Sequence, residues 1–183
     1  MVEKLQKMQE GAGGISSPVP YKKNSPASEA LILEAFRSGD FELYEKLCGH
    51  PYRIEGKVVH GKALGRTVGM PTANIEVPEG VSIPPQGVYA VIGHVANETR
   101  LGLANIGTRP SVDDNKEITI EVFLSDFDKD IYGEPFALEM LKYLRGIQKF
   151  QDLSEVKQQV QKDLRQAKQY WDQRSFACFK RKQ

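Results

Sequence analysis

From Tyr52 to Val58 the chain reads Tyr52-Arg53-Ile54-Glu55-Gly56-Lys57-Val58, with small and apolar residues on one face and charged ones on the other. That period of two predicts a strand. Strand-like runs recur at Gly87–Val95, Arg100–Ile106, Glu117–Leu124 and Phe136–Leu144. Turn material separates them, at Ala96-Asn97-Glu98, Asp113-Asp114-Asn115 and Asp126 to Asp130. Strands so spaced, with no helix between them, indicate an antiparallel sandwich or barrel rather than a parallel sheet. Before them, Leu31, Leu33, Ala35 and Phe36 predict a short helix over Ala27–Phe36, stopped at Ser38-Gly39. Asp40 is placed to cap a second helix carrying Phe41, Tyr44 and Leu47, ending near Gly49. After the last strand, Leu153, Val156, Val160, Leu164 and Ala167 recur at steps of three and four, an amphipathic helix of about five turns. Asp152 and Glu155 resemble its capping box. The expected fold is mostly β, a small barrel closed by a long C-terminal helix and preceded by short helices.

Composition narrows the function. The 183 residues are 40% hydrophobic and 27% charged, enough for one domain and a modest appendage. Basic and acidic residues number 25 and 24, a net charge of +1, which argues against a nucleic-acid partner. No run approaches the ~18 apolar residues of a membrane helix, and the N-terminus lacks the apolar region of a signal peptide. The expectation is a cytoplasmic protein with no membrane partner. Cys48 and Cys178 lack metal-site spacing and are expected as free thiols.

Candidate chemistry concentrates in Gly65-Arg66-Thr67-Val68-Gly69-Met70-Pro71-Thr72-Ala73-Asn74. Gly61 to Thr67 approximates a Walker loop but is one residue short and carries arginine in place of lysine. Pro71 follows too soon for the helix that such a loop must open. A glycine-rich connection between strands remains one reading. The other is an anion cradle: glycines let amides approach phosphate, and Arg66 can fork onto its oxygens. Thr72 and Asn74, two apart in an extended segment, offer a hydroxyl and an amide oxygen on one side, both suited to Mg²⁺. Together these suggest a nucleotide–Mg²⁺ site.

Val58-Val59-His60-Gly61, Gly65-Arg66 and Gly69-Met70-Pro71-Thr72-Ala73-Asn74 resemble the signature of riboflavin kinases. The likeness is to the C-terminal kinase module of bacterial bifunctional FAD synthetases. Four further blocks follow in the family's order: Gly87-Val88-Tyr89, Ala104 to Pro110, Asp126-Phe127 with Asp130 to Gly133, and Leu144-Arg145 with Lys149-Phe150. The resemblance runs from about Pro51 to Lys168, and it implies a six-stranded antiparallel Greek-key barrel. It also implies transfer of the γ-phosphoryl of ATP to the ribityl 5′-hydroxyl of riboflavin, giving FMN and ADP with Mg²⁺ or another divalent cation.

By that resemblance Gly61, Arg66, Thr72 and Tyr132 are nucleotide-binding, and Thr72 and Asn74 hold the metal. Glu121 is the catalytic base. On alternation alone it shares an outward face with Thr119 and Phe123, opposite Ile118, Ile120, Val122 and Leu124. Arg145, Gln148 and Phe150 are flavin-binding by resemblance; as residues, Phe150 could equally anchor the core, and Tyr132 could be an ordinary turn aromatic. One departure stands out: where the family usually has an acidic residue two positions past the arginine, this chain has Ile147.

The expected organisation is a flexible tail over 1–26, a helical linker over 27–50, a kinase barrel with its helix over 51–172, and a tail over 173–183. The linker resembles the end of an adenylyltransferase module, which would be a covalent or lost partner. No H-x-G-H motif occurs in the chain, so FMN without FAD is the expected product. The competing reading is a non-catalytic flavin- or nucleotide-binding regulator on the same barrel. A regulator has no need of a base, so the joint presence of Thr72, Asn74 and Glu121 favours the enzyme.

Overall fold

The structure, a computed structural model, describes residues 26–61, 69–110 and 116–180. Two short helices, α1 (Pro26–Ser38) and α2 (Phe41–Cys48), lead into strands β1 (Tyr52–Val59) and β2 (Thr72–Glu76). Strands β3 (Gly87–Val95), β4 (Glu98–Pro110), β5 (Lys116–Leu124) and β6 (Pro135–Arg145) follow, and α3 (Leu153–Lys180) ends the order.

Local chemistry sets these boundaries. The Asp40 carboxylate accepts the Leu43 amide at 2.9 Å, and Gly49 ends α2 in the left-handed conformation, φ 81°, its N–H donating to Glu45. Only glycine adopts that conformation without a Cβ penalty. Ala96 and Asn97, both at positive φ, make the two-residue turn between β3 and β4, as a tight hairpin requires. At the start of α3, Asp152 accepts the Glu155 amide and Glu155 accepts that of Gln151, each at 2.9 Å.

The strands close in the order β1-β2-β5-β4-β3-β6, all antiparallel, with β6 returning to β1. Strands β3, β4 and β5 run as a meander and β6 comes back beside β3, the Greek-key arrangement. The expected fold is therefore observed. The inner face holds a continuous apolar core, including Ile54, Val91, Ile106, Val122, Leu138 and Met140. A second cluster lies outside the barrel, where Ala90, Ile92, Leu103 and Leu141 meet Ala167 of α3. Strand β3 is consequently buried on both faces.

Helices α1 and α2 dock on the barrel through rings. Phe36 and Tyr52 lie 5.0 Å apart between centroids, and Phe41 lies 5.7 Å from Tyr89. Lys142 pairs with Glu42 at 3.0 Å, and Arg174 of α3 forks onto Glu45. Burial pushes the hydroxyls of Tyr44, Tyr52 and Tyr89 well above the usual tyrosine range. Two of them donate hydrogen bonds, Tyr52 to Ser82 and Tyr89 to Pro85, each at 2.6 Å.

Three details differ from the sequence expectation. The segment expected only to be extended around Thr72 is a full strand, paired to β1 on one side and β5 on the other. Its five residues are too few for alternation to announce it. Ile118, assigned to the inner apolar face, is 52% exposed, because β5 has not yet met β2, whose pairing begins at Ile120. And α3 runs to Lys180, past the expected boundary at 172, its later turns held by the Arg174–Glu45 pair and by Lys142 over the Tyr170 ring. The expected turn at Asp113 to Asn115 and the tail before Pro26 lie outside the described residues.

Candidate active site

Strand register draws one row of side chains across five strands. Asn74 stands opposite Glu121, Glu121 opposite Asn105, Asn105 opposite Val88, and Val88 opposite Arg145. Directly opposed residues share a face, with Cβ atoms about 4.5–5.5 Å apart. Ile120 and Val122 point into the barrel, so Glu121 and its row point out, as alternation required. In the adjacent row Thr72 stands opposite Phe123, and Phe123 opposite Leu103.

Arg145 reaches this row through an irregularity. Tyr89 pairs with Tyr143, yet Val88 pairs with Arg145, so β6 carries one extra residue there. Without it, Leu144 would face Val88. Bulges that re-aim a side chain are frequent beside active sites.

Over the row opens a cavity of about 370 Å³, between the outer sheet face and the first turns of α3. Thr72, Glu121, Arg145, Gln148 and Phe150 all line it. A smaller cavity, about 150 Å³, is lined by Pro71, Thr72, Lys129, Asp130 and Tyr132. Thr72 lines both cavities, whereas Glu121 lines the larger and not the smaller. Tyr132 stacks on His60, 3.7 Å between ring centroids. A larger cavity, about 730 Å³, lies over β1 and is lined by none of the expected residues; size here does not mark the chemistry.

Gly61 belongs to this geometry through Asn74. A Cβ at position 61 would collide with the Asn74 amide, so glycine leaves that side chain its space. Arg66 lies outside the described residues. Phe150 is half-buried and belongs to neither core cluster. Its ring instead lies 5.8 Å from the Arg145 guanidinium, within cation–π range.

Asp163, absent from the sequence expectation, is the largest surprise. It is 1% exposed, and its Oδ2 accepts a hydrogen bond from Nε of Arg145 at 2.9 Å and lies 2.8 Å from Nη2 as an ion pair. Its Oδ1 receives Nε2 of Gln159 at 2.7 Å. Ile147 therefore does not leave Arg145 without a counter-charge; the carboxylate comes from α3 instead. The signal was present: Asp163 falls three residues after Val160 and four before Ala167, a charge on the apolar stripe. Asn105, read only as part of a sequence block, is the other addition, standing beside Glu121.

Among the described residues no three His, Cys, Asp or Glu side chains cluster as a metal site. The Thr72 hydroxyl, the Asn74 amide and the opposed Glu121 carboxylate are hard oxygen donors on one sheet face. Such a sparse set fits Mg²⁺ shared with phosphate oxygens and water, not a cation caged by protein alone.

The fold is a closed six-stranded antiparallel barrel, and two of its cavities share Thr72, with the Glu121 carboxylate lining the larger. The chain belongs to the riboflavin kinase family: the family model described as Flavokinase: Riboflavin kinase matches residues 48–171. It is 38% identical over 152 residues to a bifunctional riboflavin kinase/FMN adenylyltransferase of Bacillus subtilis, covering 82% of this chain and 48% of that protein. The protein of the same description from Escherichia coli is 41% identical over 145 residues, covering 79% and 46%. The chain thus spans about half the length of the curated relatives it matches. Among solved structures, riboflavin kinase from Trypanosoma brucei superposes with a TM-score of 0.50 at 26% identity, covering 64% of this chain and 77% of that one. A structure described as a macrolide-efflux protein from Streptococcus pneumoniae superposes with a TM-score of 0.69 at 31% identity, covering 88% and 53%. No described helix here is long and apolar enough to cross a membrane.

Proposed function

We propose that this riboflavin kinase domain transfers the γ-phosphoryl of ATP to the ribityl 5′-hydroxyl of riboflavin, giving FMN and ADP. The observation that carries the reading is the row from Asn74 through Glu121 to Arg145, running under a cavity that shares Thr72 with a second one. The larger cavity takes riboflavin, against Phe150, Arg145 and Gln148. The smaller takes the nucleotide, beside Tyr132; Gly61 and Arg66 are assigned to the nucleotide by the family resemblance. Thr72 and Asn74 hold a divalent cation, which when bound neutralises phosphate charge.

Glu121 lines the larger cavity in the row next to Thr72, and the acceptor hydroxyl is placed there. Its carboxylate takes the hydroxyl proton as that oxygen attacks the γ-phosphorus; the bond from phosphorus to the β–γ bridging oxygen breaks, and ADP leaves with the electron pair. Protein in such reactions chiefly positions groups and balances charge, and a positioned base contributes about 10²–10⁴ in rate. We further propose a cytoplasmic setting, a kinase unit over 51–172, and residues 27–50 as the link to an adenylyltransferase module like that named in the relatives.

The test incubates the purified chain with riboflavin, ATP and Mg²⁺ and separates the flavins by chromatography. FMN in step with ADP, abolished by a chelator, is the expected result. Tight flavin binding without FMN would replace the enzyme with a flavin-binding regulator.

A further inference from the structure

We infer that Asp163, steadied by Gln159, is a positioning residue that aims the Arg145 guanidinium into the flavin-side cavity. The inference rests on the proposed assignment of that cavity to riboflavin. Asp163 is a buried carboxylate on a helix whose neighbouring stripe positions, Val156, Val160 and Ala167, are apolar. A buried ion pair adds little stability over well-packed apolar side chains. Stability alone therefore gives a poor account of an aspartate at this position.

The geometry gives a better one. Nε and Nη2 of Arg145 converge on one carboxylate oxygen, and Nη1 donates to the Gly146 carbonyl at 3.1 Å. Two of the five N–H donors of an arginine are hydrogen-bonded and Nη2 is ion-paired, which fixes the plane of the guanidinium. These contacts leave a second N–H on Nη1 for an acceptor beyond the protein. The Asp163 carboxylate is occupied on both oxygens, by Arg145 and by Gln159, so it acts through the arginine. Arg145 is 17% exposed on its side chain, a partly open surface beside a cavity that Phe150 also lines. An acceptor group of the substrate, such as a ring carbonyl or a hydroxyl, meets a pre-aimed fork and loses less rotamer freedom on binding.

The test is an isosteric change, Asp163→Asn, which keeps the volume and removes the charge that holds Arg145. Riboflavin affinity is read by quenching of flavin fluorescence, which needs no turnover, alongside the KM values for riboflavin and ATP and the melting temperature. Riboflavin Kd and KM should rise about 10- to 100-fold, the scale of a misaimed buried charge, while the ATP KM stays within about twofold. In an Arg145→Ala background Asp163→Asn should add nothing further, because the residue it acts through is gone. A lowered melting temperature with unchanged riboflavin affinity would overturn the inference, as would equal shifts for both substrates or additive effects in the double variant. Wild-type protein that binds riboflavin without forming FMN would sink the enzyme reading yet leave this one standing. Wild-type protein that binds no riboflavin would sink both.

Discussion

The two faces of the barrel wall are made of the same strands and do opposite work. The inner face is filled by aliphatic and aromatic side chains, with Leu138 and Met140 fully buried. The outer face is packed apolar under the later part of α3, at Ala90, Leu103 and Leu141. Toward the start of α3 it opens, and there Asn74, Glu121, Asn105 and Arg145 stand in a row with Val88 and next to Phe123. A period of two thus lets one strand contribute to stability with alternate residues and to chemistry with the rest. Substitutions on the two faces should separate cleanly.

The largest effect is expected on the outer face. Glu121→Gln should lower kcat for FMN formation by about 10²–10⁴, with riboflavin affinity and melting temperature nearly unchanged, as titration and calorimetry would show. Next comes the inner face. Leu138→Ala should cost about 2–5 kcal/mol in denaturant unfolding, as for other buried leucines, leaving the KM values of the folded fraction intact. Gly61→Ala should displace the Asn74 amide and raise the Mg²⁺ concentration for half-maximal rate about tenfold, the scale of one lost polar contact.

Two smaller effects probe the docked helices. Tyr44, Tyr52 and Tyr89 are held neutral by burial. A raised folded value stabilises fully below the unfolded tyrosine value and less as pH climbs above it. The melting temperature should therefore be level through neutral pH and fall above about pH 10. Removal of the α2 cap by Asp40→Ala should cost about 1 kcal/mol, the smallest of these changes.

The sequence disclosed the alternation of the long strands, the caps at Asp40 and Asp152, and the outward face of Glu121, because each is a local property of a few neighbours. It was silent where the determinant lay elsewhere in the chain. Strand β2 is short and takes its identity from β1 and β5, both distant in sequence. The extra residue that turns Arg145 toward Val88 appears only when β3 and β6 are paired. Asp163 meets Arg145 across 18 residues, and its misplaced charge on an apolar stripe was the one local hint. Phe150, equally a core anchor or a pocket wall by sequence, stands beside Arg145 and outside both core clusters.

The division of labour between the faces is tested most directly by the rate of FMN formation per folded molecule in Glu121→Gln and Leu138→Ala, measured side by side at saturating riboflavin and ATP. A fall of about two to four orders of magnitude is expected in the first and a near wild-type rate in the second. Comparable rates in the two variants would contradict it.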